Sequence, residues 1–216
     1  MMRGAGPMAK DAMDKELAEA CMEGDAQRVY ALLMQGASPN AEFPAGEVGG
    51  IGEGRETVLG LALRQGHFGV AEMLLRHGAR AQGNGDPRTF DPLHYAAASP
   101  EQRSVATAYI LMQNGADPNG VALGKTPLFC VRLAAMADML IRHGANVNAR
   151  NDAWAEGTPL HIAAQSGNAE VARVLLQHGA NANARDCDGH TPLYWARDYG
   201  CAEVAALLEA YGGKAL

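Results

Sequence analysis

Apolar and small residues recur along this chain in short paired blocks at helical spacing. In the clearest block Leu160, Ala163 and Ala164 share one face of a short helix. After the turn Ser166-Gly167-Asn168, a second apolar stripe runs through Val171, Val174, Leu175 and Leu176. Thr158 suits the N-cap and Pro159 the first helical position, where its missing N–H costs nothing. Gly179 suits the left-handed position that ends the second helix. Ala180 to Thr191 is a turn-rich stretch suited to a hairpin-like projection, and the pattern then restarts, Leu160 to Leu193 and Gly179 to Gly212 both spanning 33 residues. Aligning the terminal glycines gives Gly36, Gly78, Gly115, Gly144, Gly179 and Gly212, at intervals of 42, 37, 29, 35 and 33. A period of this size predicts an all-α repeat solenoid of six helix-turn-helix units joined by β-hairpin-like turns, not a closed globule.

The expected divisions are a disordered leader over 1–13 and a single repeat domain over 14–216. Its repeats fall at about 14–41, 56–84, 88–120, 124–150, 156–185 and 188–216, with a flexible Gly-rich finger at 42–55. The finger arises because Gly36 to Thr57 is 21 residues, against 12 for Gly179 to Thr191, and the excess is rich in glycine. Ser99-Pro100-Glu101-Gln102 has a capping-box pattern that would extend the third unit's second helix by about a turn. The fourth unit loses residues and its Gly turn, passing from Arg132 into Leu133. A ridge beside a dent is the expected result.

The net charge of -6 and pI near 5.6 argue against nucleic acid as a partner and favour a basic or neutral protein. Cys21, Cys130, Cys187 and Cys201 lack metal-ligand spacing and read as reduced thiols. Residues 1–13 lack the apolar run of a signal peptide, and no stretch approaches the roughly 20 apolar residues of a membrane span. The default is a soluble cytoplasmic monomer with no membrane contact.

Residues such as GTPLHIAAQSGNAEVARVLLQHGANANARDCDGHTPLYWA carry a resemblance to ankyrin-repeat proteins, whose unit is a β-turn plus two antiparallel helices. The resemblance runs from about Asp14 to Leu216 and is looser in TVLGLALRQGHFGVAEMLLRHGA, DPLHYAAA and KTPLFCVR. The first unit lacks TPLH and reads as an N-terminal cap. The resemblance implies a protein-binding scaffold whose partners meet the turn tips and the exposed positions of the first helices, which line a concave groove. Carried over by position, the contacts are Trp154 in the fourth-to-fifth connection, Gln165 and Ser166, Asp198 and Tyr199, Arg64 and Gln65, and His190 in the last turn. Trp154 is the sharpest of these, standing outside any apolar stripe on a connection two residues longer than its successor. The alternative is that its ring folds back as local packing. Trp195 reads as core or groove wall, and Phe43 and Phe90 are secondary candidates.

The seven histidines do not imply a metal. His77, His143 and His178 share one repeat position and His94 and His161 another, so equivalents lie about 8–10 Å apart, too far to share an ion at bonds of about 2 Å. The resemblance makes the TPLH histidines structural. No nucleophile with a base and no converging carboxylates are visible; Cys21 and Cys130 read as core, and Cys187 is flanked by Asp186 and Asp188, which blunt a thiolate. Gly49 to Gly54 lacks the GK[ST] ending of a phosphate loop. The expectation is therefore a non-catalytic interaction module with no cofactor. An inhibitor or immunity-type protein that occludes an enzyme or toxin is the alternative, and a small-molecule binder would need a closed pocket near the fourth unit's dent.

Overall fold

The computed structural model describes residues 7–44, 54–86, 88–151 and 157–215. Two compact units are distinguished, Met1–Ala96 with Ala106–Ala116, and Ala97–Val105 with Asp117–Leu216.

The first unit opens with α1 (Pro7–Glu23) and α2 (Ala26–Gln35). Helix α1 begins inside the leader expected to be without structure; residues 7–13 are helical, entered through a proline at the first position. Leu17, Ala20 and Cys21 are fully buried on it, and α1 packs on α2 and on α3 (Val58–Arg64). Burial pushes the Cys21 thiol up to about 12, so it serves as a small core residue. Helix α4 (Phe68–Arg76) covers α2 and α3. The base of the expected finger is ordered. Strands β1 (Glu42–Pro44) and β2 (Arg55–Thr57) pair antiparallel, with Phe43 opposite Glu56. Phe43 is buried there, which removes it from the contact candidates. Asp86 accepts the Arg55 amide at 3.1 Å, and Thr89 and Asn84 both donate to the Arg55 carbonyl. Residues 45–53, most of the finger and of the Gly49 to Gly54 segment, lie outside the described residues.

Helices α5 (Pro92–Ala98) and α6 (Arg103–Gln113) follow. At 11 residues α6 exceeds the nine of α4, but it starts at Arg103, past the expected Ser99 cap. Ser99 Oγ instead accepts the Glu101 amide in a local turn.

In the second unit the first helix of the fourth repeat is reduced to a single 3-10 turn, Pro127–Phe129, before α7 (Ala134–Arg142). Thr126 to Leu133, the two N-caps, is seven positions, against ten from Thr158 to Asn168, and the first helix is the element that shortens. Helices α8 (Pro159–Gln165) and α9 (Ala169–Gln177), then α10 (Pro192–Asp198) and α11 (Ala202–Ala210), form regular pairs. Helix α8 packs on α9 and α10, and α9 on α7 and α11. Each of the six aligned glycines has positive φ, between 76° at Gly212 and 101° at Gly36, as a left-handed helix end requires.

A ladder of asparagines links successive turns. Asn119 Nδ2 donates to the Gly144 carbonyl at 2.8 Å while its Oδ1 accepts the Asn146 amide at 2.7 Å. Asn148 repeats this on Gly179 and Asn181, and Asn183 on Gly212 and Lys214. Because these side chains are exposed, water replaces part of what is lost, and Asn148→Ala is expected to cost about 1–2 kcal/mol for its two bonds. Urea denaturation checks this; a midpoint equal to that of the unaltered protein would remove the ladder from the stabilising contacts.

Candidate partner-binding site

The TPLH segment sets up the site. Thr158 caps α8, and its amide donates to His161 Nδ1 at 3.0 Å. That makes Nδ1 the acceptor, so Nε2 carries the proton and donates to the His190 carbonyl at 3.2 Å. Burial lowers the His161 pKa, in keeping with a neutral ring. One histidine thus ties the helix start to the next turn, as expected.

Asp186 performs the matching task one turn later. Its Oδ1 accepts the amides of Asp188 at 3.0 Å and His190 at 2.8 Å, and its Oδ2 accepts Trp195 Nε1 at 2.7 Å. Burial raises its pKa, but the hydrogen bonds from Trp195, His190 and Asp188 outweigh it, and the net shift is downward. The indole is thereby fixed within an aromatic cluster. His190 stacks on Tyr194 with ring centres 3.8 Å apart, and Trp195 meets His190, Tyr194 and Tyr199 at 5.7–5.8 Å.

A cavity of about 450 Å³ opens on the face of α8 and α10 beside the shortened fourth repeat. Ile162, Gln165 and Trp195 line its helical side, Lys125, Asn151 and Gly157 its turn side, and His161 and Asp186 its floor. Ile162 is 36% exposed and Tyr199 53%, so both present apolar surface on this face. Gln165 Nε2 donates to the Tyr199 hydroxyl at 2.9 Å, joining two expected contact residues.

Of the other expected contacts, Ser166 ends α8 and donates to the Ala163 carbonyl, and His190 belongs to the aromatic cluster. Asp198 is exposed at the end of α10. In the first unit Gln65 is exposed, while Arg64 Nη1 lies 3.4 Å from Glu56 Oε2 in an internal ion pair. Trp154 lies outside the described residues. Phe90, half-buried, stacks on His94 at 5.3 Å. Ile162, Lys125 and Asn151 were not anticipated. The position directly after the TPLH histidine was the available signal, since it turns away from the face that Leu160, Ala163 and Ala164 bury.

Other chemistry is sparse. His178 Nε2 lies 2.8 Å from Asp138, which Arg142 also contacts, an interhelical tie between α7 and α9. Asp186, Asp188 and His190 offer ligand atoms within 4.8 Å of one another, but Asp186 is committed to Trp195 and two amides. Burial pushes the Cys130 thiol up to about 11. Among the described residues no helix is long and apolar enough to cross a membrane.

Paired helices and turn tips tied by a repeating hydrogen-bond geometry define a repeat scaffold. The family model for ankyrin repeats matches residues 17–122 and 128–214, and the chain belongs to that family, an all-α repeat class whose members are generally non-catalytic protein-interaction modules. The chain is 32% identical over 120 residues to cyclin-dependent kinase 4 inhibitor B of Rattus norvegicus, covering 54% of this chain and 92% of that protein. It is 41% identical over 106 residues to the putative E3 ubiquitin-protein ligase XBAT34 of Arabidopsis thaliana, covering 47% of this chain but only 28% of the ligase.

Proposed function

We propose that the second unit grips a partner protein through the face of α8 and α10, with the aromatic cluster around Trp195 and Tyr199 as anchor and the turn tips, Trp154 included, as rim. The carrying observation is the cavity flanked by exposed Ile162 and Tyr199 on a scaffold already held rigid by Asp186 and His161. Preorganisation of this kind lowers the ordering cost of binding. Arg64 and Gln65 mark a second contact area on the first unit. The net charge of -6 favours encounter with a protein of basic overall surface. The chain acts as a monomeric, six-unit array without catalysis, and a cytoplasmic setting suits the buried thiols of Cys21 and Cys130.

A second reading, occlusion of an enzyme, is favoured by the likeness to cyclin-dependent kinase 4 inhibitor B. The two readings separate on whether the captured partner loses an activity on binding.

Affinity capture identifies the partner, and calorimetry on variants then tests the face. Tyr199→Ala and Ile162→Glu are each expected to weaken binding by more than about 1 kcal/mol, and Trp154→Ala by a similar amount. Unchanged affinity in both Tyr199→Ala and Ile162→Glu would move the interface elsewhere.

A further inference from the structure

The second helices of the two units present different surfaces. Counting back from the terminal glycines sets the register: Asp138 and Arg173 stand six residues before Gly144 and Gly179, and Arg142 two before Gly144. In the second unit these positions are joined in ion pairs, Asp138 with Arg142 and with His178 at 2.8 Å each, and Arg173 with Glu170 at 3.9 Å and Glu203 at 4.0 Å. Six and two residues before Gly36, helix α2 carries Tyr30 and Met34 instead. They are 50% and 64% exposed and, four apart, share one face. Tyr30 meets His77 of α4 edge to face with ring centres 6.0 Å apart, which joins that face to the stripe of Met73, Arg76 and His77. Because α2 and α4 pack side by side, a shallow groove runs between the two stripes.

Little charge stands on this groove. Helix α2, AQRVYALLMQ, has no acidic residue, and its one cation, Arg28, is paired with Glu19 and Glu23 of α1. On α4, Glu72 accepts the Thr107 hydroxyl at 3.3 Å, which draws its carboxylate towards α6. Strand β2 packs on α3, where Glu56 meets Arg64. Arg76, exposed in the last turn of α4, makes no ion pair or side-chain hydrogen bond among the described residues. The groove is thus apolar along its length, with one uncompensated guanidinium at its end.

From this complementarity we propose that α2 and α4 dock an amphipathic helix of a partner protein, its apolar stripe flanked by aspartate or glutamate. The stripe lies on Tyr30, Met34 and Met73, and a flanking carboxylate pairs with Arg76. Methionine suits the role because its flexible thioether adapts to the side chains laid on it, and a groove between two helices accepts the ridge of a third. A lipid surface fits less well: attraction to an anionic bilayer grows with the number of cations, and here a single arginine stands on a chain of net charge -6. The surface is separate from that of α8 and α10 and requires no part of the reading given for it.

The probes are two stapled helices of about four turns with a leucine at every third or fourth position, one carrying glutamate beside the stripe and the other lysine. Each is titrated at physiological salt into the full chain labelled with 13C at its methionine methyls, Met34 and Met73 being assigned with Met34→Leu and Met73→Leu. The expected result is a saturating shift of both methyls with the glutamate helix, bound at least about threefold more tightly than the lysine helix. The net charge alone would favour lysine, so the order of the two is diagnostic. Arg76→Glu should reverse it, and Met34→Glu should weaken the glutamate helix by at least about fivefold. Amide shifts of α1 and α3 confirm that each variant is folded. No saturating shift, equal affinity, preference for lysine in the unaltered chain, or full binding by Met34→Glu overturns the proposal. Sedimentation with phosphatidylserine vesicles that Met34→Glu abolishes would also overturn it, in favour of a membrane. Ile162→Glu should leave the glutamate helix bound; its loss there would move the helix to α8 and α10 and sink this assignment.

Discussion

Arg64→Met is expected to destabilise the first unit by about 3 kcal/mol, the lower part of the range for breaking a buried ion pair. The reason lies in Glu56. Its side chain is 2% exposed on β2, and Arg64 Nη1 stands 3.4 Å away with 19% of its own side chain exposed. Gly60 occupies the position where the third and fifth repeats carry His94 and His161, and a Cβ there would sit 3.4 Å from Glu56 Cγ and 3.6 Å from Tyr95. The space without a histidine ring is thus where Glu56 and Tyr95 meet. The Tyr95 hydroxyl is held well above its ordinary pKa, by burial first and then by the Glu56 carboxylate. Removing the guanidinium leaves a carboxylate with neither water nor counter-charge. Adding Glu56→Gln to Arg64→Met should recover most of the loss at neutral pH. Denaturation midpoints of the single and double variants check both statements, and a double variant no more stable than Arg64→Met would show that packing, not charge, is what Arg64 supplies.

The second large effect is expected at Asp186→Ala, a loss of about 3 kcal/mol, because one buried carboxylate accepts three hydrogen bonds and bonds to charged groups are worth about 1.5–3 kcal/mol each before relaxation. The cost has a functional counterpart. The Trp195 indole loses the acceptor that orients it, so partner affinity should fall along with the melting temperature. Asp186→Asn separates the two, since it keeps the oxygen that caps the turn and presents an NH2 to the indole N–H. In the unaltered protein the folded pKa of Asp186 is depressed, so this stabilisation is complete above the unfolded value near 3.9 and is lost as pH falls through the lower folded value. Near-ultraviolet circular dichroism of Trp195 in Asp186→Asn reads the orientation directly. An unperturbed spectrum with full partner affinity would remove Asp186 from the site's support.

Much of this was legible in the residues. The terminal glycines gave the second-helix ends because few other residues take positive φ cheaply, and the TPLH motif placed His161 in its structural role because a buried imidazole must find partners at both nitrogens. The deletion in the fourth unit was legible as lost residues and a lost Gly turn, but the reduction of its first helix to a 3-10 turn was not read from it. Strands β1 and β2 escaped notice because three residues are too few for alternation to register, and their pairing depends on Asp86 some thirty residues away. Arg64 was read as a contact from its repeat position alone. Its companion, Glu56, opens the second repeat directly before the N-cap Thr57, where nothing in the repeat pattern marks a buried carboxylate. The dent expected at the fourth unit pointed to the place of the cavity but not to its lining, which joins residues from Lys125 to Trp195 that no local pattern connects.

The β1–β2 pair has a practical corollary. Arg55 grips Glu42 through both its carboxylate and its carbonyl, at 3.3 and 2.9 Å, and Asp86, Asn84 and Thr89 hold the Arg55 backbone from the other side. Pro44 and Arg55, which bound the segment 45–54, are therefore held together at one clamped doorway. Foreign sequence grafted between Pro44 and Gly54 would be displayed from that anchor without altering the helix stack, which makes this position a natural port for epitopes or reporter tags.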